Sequence, residues 1–293
     1  MAWDVAKADA IGGREEQQDR VDILSGPGGR HLLVLADGLG GHKGGAQAAQ
    51  AVIDAARALW SGQQRSPQPP ADFLRAVCAE AHRRINALAP TGNEQPHSTC
   101  VLLHLDEREA HWAHVGDSRL YHFRDHALVE RSHDHSVVQM LVDLGRIGEA
   151  DMATHPDQNR LTQSLGGSKA PEPGLGSAPV APGDGYLLCS DGLWESASTD
   201  DMAVALAGGA LGTAVRRLVA RAADKGGPAG DNVTVAAARR RRRTRPGNRA
   251  LVWAAALTAV AAALLALALL WPVPAESPDR GATDRPSAAP PSR

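Results

Sequence analysis

The sequence predicts an α+β fold, two antiparallel sheets stacked with helices outside them, followed by one C-terminal transmembrane helix. Three observations predict it. Strand-length apolar runs recur ("HLLVLAD", "STCVLLHLD", "HWAHVGD", "YLLCSDG", "NVTVAAA"), and several are apolar at consecutive positions, so both faces of those strands are covered. Helical patterns lie among them without strict strand–helix alternation, which disfavours a doubly wound parallel sheet. Residues 250–271, "ALVWAAALTAVAAALLALALLW", contain no charge.

Taken in order, the first residues, "MAWDVAKADA", have no apolar core of the kind a signal peptide needs. The strand "HLLVLAD" runs into the glycine-rich "GLGGHKGG" and then into the helical pattern "GGAQAAQAVIDAARALW". A second helix is read at "ADFLRAVCAEAHRRINALA", after the loop "SGQQRSPQPPAD"; later helices are read at "SVVQMLVDLG" and "LGTAVRRLVARAADKG". No GxGxxG or GxxxxGK[ST] loop follows a strand, so nucleotide-binding folds lose support. The three cysteines, Cys78, Cys100 and Cys189, form no CxxC pair and read as buried thiols in a reducing compartment.

The end of the chain differs in composition. Residues 239–249, "RRRRRTRPGNR", carry seven arginines and no acid, and without them the 293-residue chain sums to about −9 instead of −2. The globular part is therefore acidic and not a nucleic-acid binder by charge. The uncharged stretch at 250–271 would span about 33 Å as a helix, enough for a bilayer core of about 30 Å, with Trp253 and Trp271 at its ends. The alternative is a buried Ala/Leu helix. With the arginines directly before it, the positive-inside rule predicts a single-pass protein of the inner or cell membrane with its N-terminal domain cytoplasmic. Residues 272–293, rich in Pro, Ser and Ala, read as a short disordered extracytoplasmic tail.

Four aspartates recur in one setting. Asp37 and Asp191 each end an apolar strand and precede Gly, Asp117 ends "HWAHVG", and Asp231 starts "NVTVAAA". In antiparallel sheets the end of one strand lies beside the start of its neighbour, so Asp37, Asp191 and Asp231 are placed to meet at one rim. Any single Asp-Gly is better explained as a turn. As a set they repel, by roughly 4 kcal/mol per pair at 4 Å near a protein surface, and need protons or a cation. Oxygen ligands favour Mg²⁺ or Mn²⁺ over Zn²⁺. The histidines at 111–135 offer no HExxH and no Cys partner, so they read as strand-face residues.

In order, "GGREEQQDRV", "LADGLGGHKGG", "HST", "VGDSRLY", "DHS", "HPDQNRLTQSLGG", "PGDGYLLCSDGLWE" and "DNVTV" resemble the motifs of the bacterial PPM family, the type 2C metal-dependent Ser/Thr protein phosphatases. The resemblance covers about residues 7–238 and implies a phosphatase domain over 1–238, a four-layer α-β-β-α sandwich with a metal site at one end. By position, Asp37 would bridge two Mn²⁺ or Mg²⁺ ions, the Gly38 carbonyl and Asp19 would serve the first, Asp191 and Asp231 the second, and Asp117 a looser third. Arg14 would grip the substrate phosphate, and His42 would donate a proton to the leaving group or order a water. The reaction implied is in-line attack on phosphoserine or phosphothreonine by a hydroxide bridging the metals. The partners implied are phosphorylated proteins and a cognate Ser/Thr kinase, with a membrane reached through the C-terminal helix. Two departures stand out: Gln17 replaces the usual Asn of the first motif, and Gln18 stands where Glu is common. The alternatives are a pseudophosphatase or phosphoprotein-binding scaffold, and a small-molecule phosphomonoesterase.

Overall fold

The computed structural model describes residues 3–39, 43–88, 95–240 and 257–266. In chain order its elements are β1 (Trp3–Ala10), β2 (Arg20–Ser25), β3 (His31–Ala36), β4 (Gly38–Leu39), α1 (Lys43–Arg65), α2 (Pro70–Asn86), β5 (His97–Ser98), β6 (Cys100–Leu105), β7 (Glu109–Val115), β8 (Arg119–Arg124), β9 (Ala127–Arg131), α3 (Val137–Asp143), β10 (Gly174–Pro179), β11 (Asp184–Cys189), α4 (Asp191–Trp194), α5 (Thr199–Ala207), α6 (Leu211–Gly226) and β12 (Val233–Arg240). One sheet runs β1-β12-β11-β8-β9 and the other β10-β7-β6-β3-β2, each antiparallel throughout. Apart from the membrane helix, this is the expected architecture.

The consecutive apolar positions of the strands have a direct cause. Side chains alternate across a sheet, and here each face meets a different core. On β3, Leu33 and Leu35 join the layer between the sheets, where Leu103, Leu120, Leu188, Ala236 and Tyr186 meet. Leu32 and Val34 point the other way, against Ala48, Val52 and Ala56 of α1 and Leu74 and Val77 of α2. On the opposite sheet, Leu187, Val235 and Ala237 pack beneath Met202 and Leu206 of α5 and Val215 and Val219 of α6. Three apolar layers thus separate four layers of structure.

β12 continues to Arg240, so Arg239 and Arg240, read from sequence as part of the arginine segment, belong to the sheet. Arg239 is buried and pairs with Asp4 at 2.9 Å.

The expected membrane anchor is corrected. The chain divides into two units, Met1–Arg243 and Thr244–Arg293, and in the second only residues 257–266 are described, as a helix. At 1.5 Å per residue the described part covers about 15 Å, half a bilayer core. No helix among the described residues is long and apolar enough to cross a membrane. Residues 241–256 and 267–293, the rest of the predicted arginine segment, span and tail, lie outside the described residues. The single-pass localisation, and the orientation drawn from it, are not supported by the described residues.

One core residue is out of character. His104 of β6 is only 3 % exposed, with Trp60 and Phe73 rings set edge-on around it, and neither ring nitrogen has a hydrogen-bond partner. Burial pushes its pKa down to about 4. The folded chain therefore holds His104 neutral while the unfolded chain takes up a proton below about 6.5, so this contribution is intact above that pH and is lost as pH falls toward 4. We predict that His104→Leu retains, at pH 4.5, stability that the wild type loses, on the order of 2 kcal/mol by urea denaturation, with little difference in pH dependence above pH 7.

Candidate active site

The aspartates singled out in the sequence are gathered at one end of the sandwich by the chain reversals there. Asp37 follows β3, Asp117 links β7 to β8, Asp191 opens α4 after β11, Asp231 precedes β12 and Asp19 precedes β2. A cavity of about 570 Å³ is lined by Asp37, Gly38, Asp117, Asp191 and Asp231, with Arg14 among its walls. Asp19 lies beneath, buried, where Ser190 Oγ donates to its Oδ2 at 2.7 Å. Seven of the eight predicted site residues are thus brought together. The eighth, His42, lies outside the described residues.

The backbone of Asp37 is clamped by the "HST" stretch. Its amide donates to Thr99 Oγ1 at 3.0 Å, and its carbonyl accepts from the Thr99 amide at 2.8 Å and from Ser98 Oγ at 2.9 Å. Thr99 Oγ1 also bonds Ser118 Oγ at 2.7 Å, tying the Asp37 and Asp117 turns together. The glycines have a steric reason. A Cβ on Gly38 would lie 2.0 Å from the Gly45 carbonyl oxygen, and one on Gly45 would lie 2.6 Å from the Gly38 oxygen, so only glycine lets α1 begin this close to Asp37. Gly116, at φ +98°, similarly leaves no room for a Cβ beside Thr99.

Arg14 is held over the cavity by Asp231, Nη2 to Oδ2 at 2.6 Å. Its loop is fixed by Asn232, whose Nδ2 donates to the carbonyls of Ile11 and Glu16 at 2.8 and 3.1 Å and whose Oδ1 accepts from the Gln18 amide at 2.8 Å. Gln17 closes the same loop: Nε2 donates to the Ala10 carbonyl at 3.2 Å and Oε1 accepts from the Asp19 amide at 3.1 Å. The longer side chain at this position therefore still anchors Asp19.

A second support was not read from the sequence. Arg119 makes a forked pair with buried Asp134, at 2.7–3.0 Å, and its guanidinium lies 3.7 Å above the Trp194 ring. Trp194 Nε1 donates to the Asp117 carbonyl at 3.1 Å. The available signal was Arg119 itself, a charge at the head of the buried strand "RLYHF", which demands a buried partner.

Burial raises the carboxylate pKa values and the neighbours add to it. Asp37 is held well above the ordinary range by burial and then by the charges of Asp19, Asp191, Asp117 and Asp231. Asp191 is raised likewise, by burial and then by Asp117 and Asp231. Asp117 is pushed up to about 7 by burial and Asp134, and Asp19 to about 6 by burial, which outweighs the bond from Ser190. Among the described residues no three His, Cys, Asp or Glu side chains close on one point as metal ligands. The carboxylates line the cavity while repelling one another, and Arg14 occupies one of them. Among the described residues no thiol or imidazole lines the cavity, and its side-chain metal donors are carboxylate and amide oxygens. That set fits a hard divalent cation.

The sign of the pH effect follows. Groups with raised folded pKa values contribute stability that is present below their unfolded values, near 4, and is lost as pH rises through the folded values. In chelator, stability is expected to fall as pH rises through about 6 to 7, the range set by Asp19 and Asp117. Asp37→Asn removes one of the repelling charges and should reduce that fall, by on the order of 2 kcal/mol at pH 8 in chemical denaturation. An unchanged pH profile would contradict this electrostatic account.

The protein phosphatase 2C family model matches residues 9–219. The chain is 35 % identical over 215 residues to the serine/threonine protein phosphatase PstP of Mycobacterium tuberculosis, a match covering 72 % of this chain and 40 % of that protein. It thus spans two fifths of that relative's length. The serine/threonine phosphatase of S. agalactiae superposes with a TM-score of 0.72 at 29 % identity, covering 81 % of this chain and 99 % of that one. The catalytic domain of PstP in complex with two manganese ions superposes with a TM-score of 0.65 at 32 % identity, covering 81 % of this chain and 97 % of that one. Sequence, fold and the carboxylate-lined cavity agree: the chain belongs to the protein phosphatase 2C family.

Proposed function

We propose that this chain is a metal-dependent phosphoprotein phosphatase that hydrolyses phosphoserine and phosphothreonine and opposes a Ser/Thr kinase acting on the same proteins. The observation that carries it is one cavity in which Asp37, Asp117, Asp191 and Asp231 face an arginine, Arg14, at the sheet rim. Family membership supports the reaction class, and the manganese complex of PstP supports the cation.

Two Mn²⁺ or Mg²⁺ ions would be held by Asp37, the Gly38 carbonyl and Asp19 on one side, and by Asp37, Asp191 and Asp231 on the other, with Asp117 serving a weaker third. When bound, such ions supply Lewis-acid activation of water and of the phosphoryl group. The chain's own part is positioning. The Ser98 and Thr99 clamp fixes where the Asp37 carboxylate starts from, and Ser190 orients Asp19. Arg14 offers a planar fork to the equatorial phosphate oxygens, where charge is stabilised as the leaving oxygen departs. Its present partner, Asp231, holds it at the cavity wall. The first-motif Gln17 retains a structural role in the loop that carries Arg14 and Asp19, which supports the catalytic reading.

The test is phosphate release from a phosphothreonine peptide by the 293-residue chain with Mn²⁺ or with EDTA. Release is expected with Mn²⁺ only, and Asp191→Asn should reduce it about 100-fold or more. Arg14→Ala should raise KM about tenfold, the scale of a lost charge-assisted bond to phosphate. Release that survives both EDTA and Asp191→Asn would refute the proposal.

A further inference from the structure

A second cavity, of about 270 Å³, opens beside the acidic one, and Leu161 lines both. Its chemistry is the reverse. Among the described residues the first is lined by six carboxylates, Glu15, Glu16, Asp37, Asp117, Asp191 and Asp231, and the second by none. It offers donors instead: the Lys169 ammonium, the Ser168 hydroxyl and the His97 ring. Lys169 is exposed and has no ion-pair partner among the described residues. His97 engages Ser164 Oγ through Nδ1 at 3.1 Å, which leaves Nε2 for a ligand.

This wall is built and not a loose surface. The backbones of Ser98 and Leu165 exchange two hydrogen bonds, at 3.0 and 2.8 Å. Asn86 Nδ2 donates to the Gly167 carbonyl at 2.9 Å, and the Gly166 amide donates to His82 Nδ1 at 3.1 Å, so α2 holds the loop from behind. Gly166 and Gly167 both have positive φ; a Cβ would come within 2.6 Å of the Pro96 oxygen at the first and 2.9 Å of His97 Cε1 at the second. The loop therefore presents Ser168 and Lys169 next to His97 in a fixed place, adjoining the acidic cavity.

We propose that this cavity is an anion-binding subsite, which receives a second anionic group, phosphate or carboxylate, carried on the same substrate chain as the phosphate to be removed. The proposal rests on the phosphatase reading for its substrate, and it narrows that substrate to phosphopeptides with an acidic or phosphorylated flank. The acidic cavity repels such a flank, so the subsite also sets which side of the phosphoresidue carries it.

The test uses the full chain with Mn²⁺ and a set of phosphothreonine peptides. Each flanking position is made in turn neutral, glutamate or phosphoserine. One position is expected at which an anion raises kcat/KM by about five- to tenfold, through KM and not kcat. Lys169→Ala should remove that advantage while leaving the neutral peptide unchanged, and Lys169→Arg should restore most of it. A response to phosphoserine alone identifies phosphate as the ligand; an equal response to glutamate identifies a general anion site. A flat scan, or a Lys169→Ala loss shared equally by the neutral peptide, overturns the proposal. If no peptide is turned over, the phosphatase reading fails, and fluorescence anisotropy on the same peptides decides the subsite: a Lys169-dependent preference for the anionic flank supports it, and equal binding overturns it.

Discussion

Bringing the Asp37, Asp117 and Asp191 carboxylates to one rim, above buried Asp19, opposes folding. Each pair repels by about 1 kcal/mol at 4 Å in water and by roughly four times that where water is scarce. Opposing restraints hold them there. The hydroxyls of Ser98, Thr99 and Ser118 fix two of the turns, Asn232 fixes the loop before β2, and Ser190 holds Asp19. Behind Asp117 stands the Arg119–Asp134 pair with Trp194 stacked on it. Breaking a buried pair of this kind by removing one partner costs about 3–5 kcal/mol, comparable to the repulsion it resists. The sandwich contributes the geometry: five chain reversals of two antiparallel sheets open onto the same end.

Much of this was legible from the residues. Runs such as "HLLVLAD" required two covered faces, and β3 has them, Leu33 and Leu35 toward one core and Leu32 and Val34 toward the other. Asp37, Asp191 and Asp231 were expected at one rim because strand ends alternate in antiparallel sheets, and they line one cavity. The framework behind them was not legible, since Arg119 and Asp134 pair across a hairpin and Trp194 reaches Asp117 from α4, more than seventy residues along the chain. Those meetings are set by tertiary packing and leave no local pattern. Gly38 and Gly45 are likewise explained only by the close approach of α1 to Asp37. The membrane anchor was read from composition over 250–271 alone, and no helix among the described residues is long and apolar enough to cross a membrane.

Charge is distributed with the same economy across the site. Among the described residues lining the acidic cavity Arg14 is the single Lys or Arg, and it is paired with Asp231. Lys169 stands in the neighbouring cavity, which no carboxylate lines among the described residues. A phosphorylated substrate would therefore meet a guanidinium at the reacting end and an ammonium along its flank, with the carboxylates reserved for cations. His104 shows the same physics with opposite sign, a neutral ring held in an apolar core, where a carboxylate cluster instead favours uptake of protons or metal.

The central claim is that these carboxylates form a divalent-cation site whose assembly competes with protons. Isothermal titration of Mn²⁺ into the chelator-stripped chain, at pH 6 in two buffers of different ionisation enthalpy, measures both quantities together. Saturable uptake of two ions with net proton release, the release shrinking by pH 8, is the result predicted. The absence of saturable binding, or binding without any exchange of protons at pH 6, would contradict the account.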